Sequence, residues 1–306
     1  MQYRPLGATG LEVSVLGLGG AQFGQQYGPL GVDQCRDVLG AALDAGINLI
    51  DTSAYYGQGK SEEILGELLT ATQRSKIVLA SKAGRLGRAE FDFTAVGLTR
   101  SVENSLRRLR TDHLDILLAH DIEFAADPVL IFGETIPALH ALKAQGKARF
   151  IGVSCLPLEL LREAVQRGGL DVVLTYCHFH LQDQSLPASG LLEAATAHDT
   201  GVLNASPLGM GLLTNAGPPP WHPGSGKLKA AARAAAESAA LHGTDISHLA
   251  MQFALQCAPA GVASTITGAS TVAELQRNLL ALTEPLPERA LASVQTIFAP
   301  VLNDGW

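Results

Sequence analysis

"INLIDTSAYYGQGKSEE", Ile47 to Glu63, contains a strand, a turn and the start of a helix in one short run. The apolar run Ile47–Ile50 stops at Asp51. Turn formers Gly57, Gln58 and Gly59 follow, and from Lys60 the segment "KSEEILGELLTAT" repeats apolar residues at helical spacing. Two tyrosines, Tyr55 and Tyr56, stand side by side in the turn. A solvent loop has little use for two aromatic rings, so one of them is a candidate chemical group.

The same unit recurs on both sides. Upstream, "SVLGLGG" precedes "VDQCRDVLGAALDAG". Downstream, "KIVLASK" precedes "TAVGLTRSVENSLRRLR", "LDILLAH" precedes "VLIFGETIPALHALKAQG", and "FIGVSC" precedes "PLELLREAVQRG". "DVVLTYC", "GVLNASPLG" and "STITGAS" complete eight strands, each with a helical partner after it. The strands are continuous apolar runs, as expected when helices cover one face of a parallel sheet and a core fills the other. Eight such units without a composition break predict an α/β fold, one (β/α)8 TIM barrel domain spanning residues 1–306. An open doubly wound sheet is the rival. It calls for a G-x-G-x-x-G turn after the first strand, and Gly17, Gly19, Gly20 and Gly24 miss that spacing. "YRPLGATGLEVSVLG" predicts an N-terminal β-hairpin turning at Thr9-Gly10 and plugging the barrel bottom. "GPPPWHPGSG" predicts a loop over the barrel mouth, and "DISHLAMQFALQC" is one of the extra helices towards the C-terminus.

The chain has 306 residues, 47% hydrophobic and 17% charged, with a net charge of -7. This describes a folded soluble protein without a basic nucleic-acid surface. The four cysteines form no C-x-x-C pair and read as reduced thiols of a cytoplasmic protein. No secretory leader and no apolar run long enough for a membrane span is expected.

In a (β/α)8 barrel the chemistry sits at the C-terminal strand ends. Those ends read Asp51, Lys82, His120, Ser154 and Ser206. An ammonium lowers the pKa of a neighbouring phenol, ordinarily about 10, and a carboxylate keeps the ammonium charged. A histidine within reach orients a substrate oxygen or relays a proton. Such a group suits proton exchange with an alcohol or carbonyl while hydride moves to or from carbon, which requires a nicotinamide or flavin. Structural alternatives stay open: Asp51 as a loop cap, Lys82 as its ion-pair partner, His120 as a core histidine. A Schiff-base role for Lys82 is a rival chemistry.

At these residues the sequence resembles the aldo-keto reductase superfamily. "DTSAYYG" matches D-T-A-x-x-Y-G, and "SK" at Lys82, "LLAH", "GVS" and "SPLGMGLL" match further family blocks in order. The resemblance implies a barrel that binds a nicotinamide cofactor without a Rossmann domain. It implies a catalytic tetrad of Asp51, Tyr56, Lys82 and His120, because the family tyrosine directly precedes the motif glycine. "HDIEF", "TYCHFH" and "GPPPWHP" look like a group of aldose 1-dehydrogenases acting on L-galactose, L-fucose and related sugars. The implied reaction is oxidation of C1 to a lactone with NAD, NADP being possible. The implied alternatives are NADPH-dependent reduction of aldehydes or ketones, and a non-catalytic binding module.

By the same resemblance, Gly20 and Ala21 lie near the nicotinamide ribose and Ser154 holds the carboxamide. Cys155 stands where the family usually has Asn. Ser206, Leu208 and Gly211 match a pyrophosphate loop, and Gly268, Ser270 and Asn278 the adenosine end. Tyr176 is favoured over Phe179 as the sixth-strand contact. Asp121, Tyr55 and Trp221 are the substrate candidates. Ser270 and Gln276, where NADP-binding members often carry Lys or Arg, favour NAD, although Arg277 is close. His178 and His180 have H-x-H spacing, but packing or substrate contact is expected there and no metal. A sugar is the expected partner, of a monomer or homodimer that binds neither nucleic acid nor membrane.

Overall fold

A computed structural model of the chain describes residues 1–305. Eight parallel strands close into a barrel: β3 (Leu16–Gly19), β4 (Leu49–Asp51), β5 (Val78–Ala83), β6 (Leu114–His120), β7 (Ala148–Ser154), β8 (Val172–Tyr176), β9 (Gly201–Ala205) and β10 (Val262–Thr267), with β10 pairing β3. The expected barrel is therefore present.

Side chains alternate along each strand, and this sets where the polar residues point. Leu49, Val78, Ala80, Ile116, Leu118, Leu174 and Leu203 share one buried cluster inside the barrel. Ile50, Leu79, Leu117, Val173 and Val202 belong to the other cluster, against the surrounding helices. Asp51, Lys82, His120 and Tyr176 each lie two residues beyond an inward leucine or alanine. They continue the inward columns to the C-terminal rim.

The N-terminal hairpin pairs β1 (Tyr3–Pro5) with β2 (Glu12–Ser14). Leu6, Leu11 and Val13 join the inner cluster, so the hairpin closes the barrel floor as expected. Full burial of Leu6 and Val13 is worth roughly 1.5–3 kcal/mol each. Gly7 permits this docking: its φ is +52°, and a Cβ there would lie 2.4 Å from the Gly201 nitrogen.

Two expected helices are interrupted. The helix expected over 60–72 stops at Lys60–Leu68, because Leu69 is extended and Thr70 starts a new turn, Ala71–Arg74, through a capping box with Gln73. The helix expected over 129–146 widens to a π-turn at Ile131–Thr135 before Ile136–Ala144. Pro137 explains this, since it has no N–H for the carbonyl four residues back. Among the extra C-terminal helices are Ile246–Gln256, capped by Asp245, and Glu288–Phe298, which no strand announces in the sequence. Among the described residues no helix is long and apolar enough to cross a membrane.

Candidate active site

Lys82 sits at the centre, 2% exposed. Its Nζ donates to Asp51 Oδ1 at 2.5 Å, to the Thr52 carbonyl at 2.9 Å and to the Tyr56 hydroxyl at 3.4 Å. Burial pulls the ammonium's pKa down, but Asp51 and then Tyr56 outweigh it, and the group is held charged. Asp51 Oδ2 is buried without a partner among the described residues. The ion pair is what makes a carboxylate tolerable at this depth.

Tyr56 is placed by its backbone. Its N–H donates to the Ser53 carbonyl at 3.1 Å, and its own carbonyl accepts from Ser61 N–H at 3.2 Å. Gly24 lies flat against it: a Cβ there would stand 2.5 Å from the Tyr56 carbonyl carbon. Tyr55 has its ring under the Arg85 guanidinium at 4.0 Å and edge-on to His120, centroids 5.9 Å apart. One correction concerns the phenol. Lys82 does pull the Tyr56 pKa down, but burial pushes it up more strongly, so the free site holds a protonated phenol and not a phenolate.

His120 stands edge-on to Tyr56, ring centroids 6.0 Å apart. Its Nδ1 meets the Ser53 hydroxyl at 2.9 Å and its Nε2 lies 3.6 Å from Asp121 Oδ2. Burial lowers its pKa to about 3, so the ring is neutral at neutral pH. Asp121 follows directly, with left-handed backbone (φ 55°) that starts the short 3-10 turn Ile122–Phe124. Its carboxylate is paired with Arg85 and accepts from the Tyr176 hydroxyl at 3.2 Å. Glu123 accepts from the same hydroxyl at 3.4 Å, and burial and then Asp121 push its pKa up to about 7. Arg85 and Glu123 are not among the residues that the sequence singles out. The available signals were an arginine one turn past Lys82 and the acid inside "HDIEF".

A cavity of about 480 Å³, within the usual range of small-molecule sites, runs from Asp51 and Tyr56 to the helix Val272–Leu280. Ala21, Ser206, Leu208, Gly211, Gly268 and Asn278 line it. The other cofactor candidates lie off its walls. Gly20 is a packing glycine, since a Cβ would stand 2.6 Å from Ser61 Oγ. Ser270 donates its N–H to Glu274 Oε2 at 2.7 Å. Tyr176 has its hydroxyl in the Asp121–Glu123 group, whereas Phe179 is buried and stacked on Phe253 at 5.2 Å. Ser154, in register with His120, is fully buried, and its hydroxyl has no partner among the described residues. Trp221 is half-exposed and tilts against Tyr27 at 5.7 Å, and Tyr27 lines the cavity. The "GPPPWHP" loop therefore does reach the mouth. Gln22, Tyr27, Asp245 and Glu274 line the cavity too, although no motif in the sequence marks them.

The two histidines of "HFH" make separate local contacts. His178 bonds Ser185 Oγ at 2.9 Å and the Leu156 carbonyl at 2.6 Å. His180 Nδ1 accepts from the N–H groups of Gln182 and Asp183, both at 3.2 Å.

Residues 15–298 match the sequence profile of the Aldo/keto reductase family. The chain belongs to this family. It is 41% identical to the L-galactose dehydrogenase of Arabidopsis thaliana, covering all of this chain and 97% of that protein. It is 33% identical to the D-threo-aldose 1-dehydrogenase of a Pseudomonas species, over 69% of this chain and 70% of the relative. Among solved structures it resembles the holo form of aldo-keto reductase AKR11C1 from Bacillus halodurans. That match has a TM-score of 0.76 and 26% identity, over 97% of this chain and 96% of the other.

Proposed function

We propose that this protein is an NAD-linked aldose 1-dehydrogenase, oxidising the anomeric carbon of L-galactose or a stereochemical neighbour to the lactone. The observation that carries the reading is the convergence of Tyr56, Lys82 and His120 beside the Arg85–Asp121 pair. The full-length similarity to a sugar dehydrogenase supports it. A nicotinamide supplies the hydride acceptor. The orphaned Ser154 hydroxyl fits its carboxamide, and the left-handed backbone at Ser206, Gly209 and Met210 fits a loop that turns amides toward a phosphate.

Tyr56 takes the proton of the C1 hydroxyl, with Lys82 stabilising the phenolate from which it acts. His120 donates from Nε2 to the same oxygen and holds it as it becomes a carbonyl. Asp121, fixed by Arg85, accepts from a further sugar hydroxyl, while Tyr55 and Trp221 wall the cup. NAD is favoured over NADP by charge: Glu274 presents a carboxylate beside Ser270, and Arg277 lies 4.0 Å from Asp245. A 2′-phosphate there meets net negative charge. The free thiols suit a reducing cytoplasm.

One observation favours a second reading. A phenol that keeps its proton is the donor needed for carbonyl reduction. The test is cofactor absorbance with a panel of aldoses plus NAD or NADP, and with aldehydes plus NADPH. Aldose oxidation with NAD is the expected result. Strong aldehyde reduction with no aldose oxidation overturns the proposal in favour of the second reading.

A further inference from the structure

Ser53 stands where the family motif has alanine, and its hydroxyl touches the catalytic histidine. We infer that Ser53 is a positioning residue that fixes His120 in the tautomer carrying its proton on Nε2. The inference rests on the reading that His120 donates to the substrate oxygen.

Ser53 is fully buried, so water does not compete for its hydroxyl. Its Oγ accepts the Tyr55 N–H at 3.1 Å and lies 2.9 Å from His120 Nδ1. The hydroxyl carries one proton, and among the described residues His120 Nδ1 is the acceptor within reach. Donation to Nδ1 leaves the ring proton on Nε2. The far side of the ring agrees: Nε2 faces Asp121 Oδ2 at 3.6 Å, and a lone pair there would oppose a carboxylate. Lys82 and Arg85 also face this ring, and both disfavour a second proton on it.

The consequence is chemical. With its proton on Nε2, His120 donates to the reacting oxygen and leaves the hydroxyl proton to Tyr56. In the other tautomer, Nε2 would accept that proton's hydrogen bond and compete with Tyr56 as the base. Ser53 thus touches both partners, through its carbonyl to Tyr56 N–H and its hydroxyl to His120. Ser53→Ala keeps the first contact and deletes the second, together with the Tyr55 N–H bond that the same hydroxyl accepts.

The test reads the tautomer directly. Long-range nitrogen–proton NMR of the cofactor-free protein, with His120 assigned by loss of its signals in His120→Gln, distinguishes a protonated from an unprotonated ring nitrogen. The wild type is expected to show Nε2 protonated and Nδ1 bare, and Ser53→Ala a mixture. In parallel, kcat falls roughly tenfold in Ser53→Ala with KM and NADH affinity little changed, and Ser53→Thr restores most of it. A wild-type ring protonated on Nδ1, or an identical spectrum in Ser53→Ala, overturns the inference. Because the spectrum is taken without substrate, it stands or falls separately from the identity of the sugar.

Discussion

Replacing Lys82 with methionine keeps much of the side chain's length, removes its charge and leaves Asp51 without a counter-ion. The Asp51 carboxylate is almost fully buried, with one oxygen already unpartnered and the other bonded to Lys82. In the variant it can stay folded only by taking up a proton, and burial already pushes its pKa upward with Lys82 present. In the unfolded chain it titrates near 3.9. The folded variant therefore binds this proton more tightly than the unfolded chain. Its stability is highest below about pH 4 and falls as pH rises towards the folded pKa. For a carboxyl that the fold keeps protonated up to pH 7, 1.36 kcal/mol per pH unit gives a loss of about 4 kcal/mol at pH 7 and about 1.5 kcal/mol at pH 5. The first figure agrees with the roughly 3–5 kcal/mol typical of breaking a buried ion pair. With an unfolding entropy of about 2.1 cal/mol/K per residue, the melting temperature drops by about 6 °C at pH 7 and about 2 °C at pH 5. Calorimetry at the two pH values is the assay, and Lys82→Met/Asp51→Asn should recover most of the loss at pH 7. Equal losses at both pH values, or a double variant no better than the single, would refute the reasoning.

Tyr56→Phe should lower turnover by about 100-fold or more while cofactor binding, followed by fluorescence titration, stays intact. Tyr55→Phe should cost only a few-fold, because the ring under Arg85 remains. Burial raises the Tyr56 pKa, so its base form grows with pH, and kcat/KM for aldose oxidation should climb steadily through the alkaline range. A profile flat above neutrality would remove the phenol as base. Glu274→Arg should tighten NADP binding by about tenfold relative to NAD in calorimetric titration, through one added charge pair at the 2′ position. An unchanged ratio would place cofactor discrimination elsewhere.

The barrel was legible because burial on both faces leaves a mark: strands such as "IVLA" and "ILLA" run apolar without alternation. Asp51, Lys82 and His120 were legible for the complementary reason, being polar residues that interrupt those runs on the inward column. Residues that act from loops left weaker traces. Arg85 and Glu123 are ordinary charges until folding brings Arg85 to Asp121 and the Tyr176 hydroxyl to both acids. The helix break at Leu69 turned on an extended residue followed by a Thr70 cap, which apolar spacing does not encode. The state of Tyr56 could not be read either. The attraction of Lys82 is visible in the motif, whereas the opposing desolvation is a property of the closed fold.

The floor laid by Leu6, Leu11 and Val13 closes the barrel below, so among the described residues the way to Lys82 is the rim above it. Everything that reaches Lys82 enters past the same rim, and the long cavity beside Tyr56 shares that entrance. Traffic through one door has to queue. The molecule that fills the inner wall must arrive before the one that rests on it, and it leaves after. Under the proposed function, the cofactor is expected first in and last out, an order that product-inhibition kinetics would check. Its departure would pass the rim where Tyr27 meets Trp221, so a Trp221 variant is expected to change the release rate.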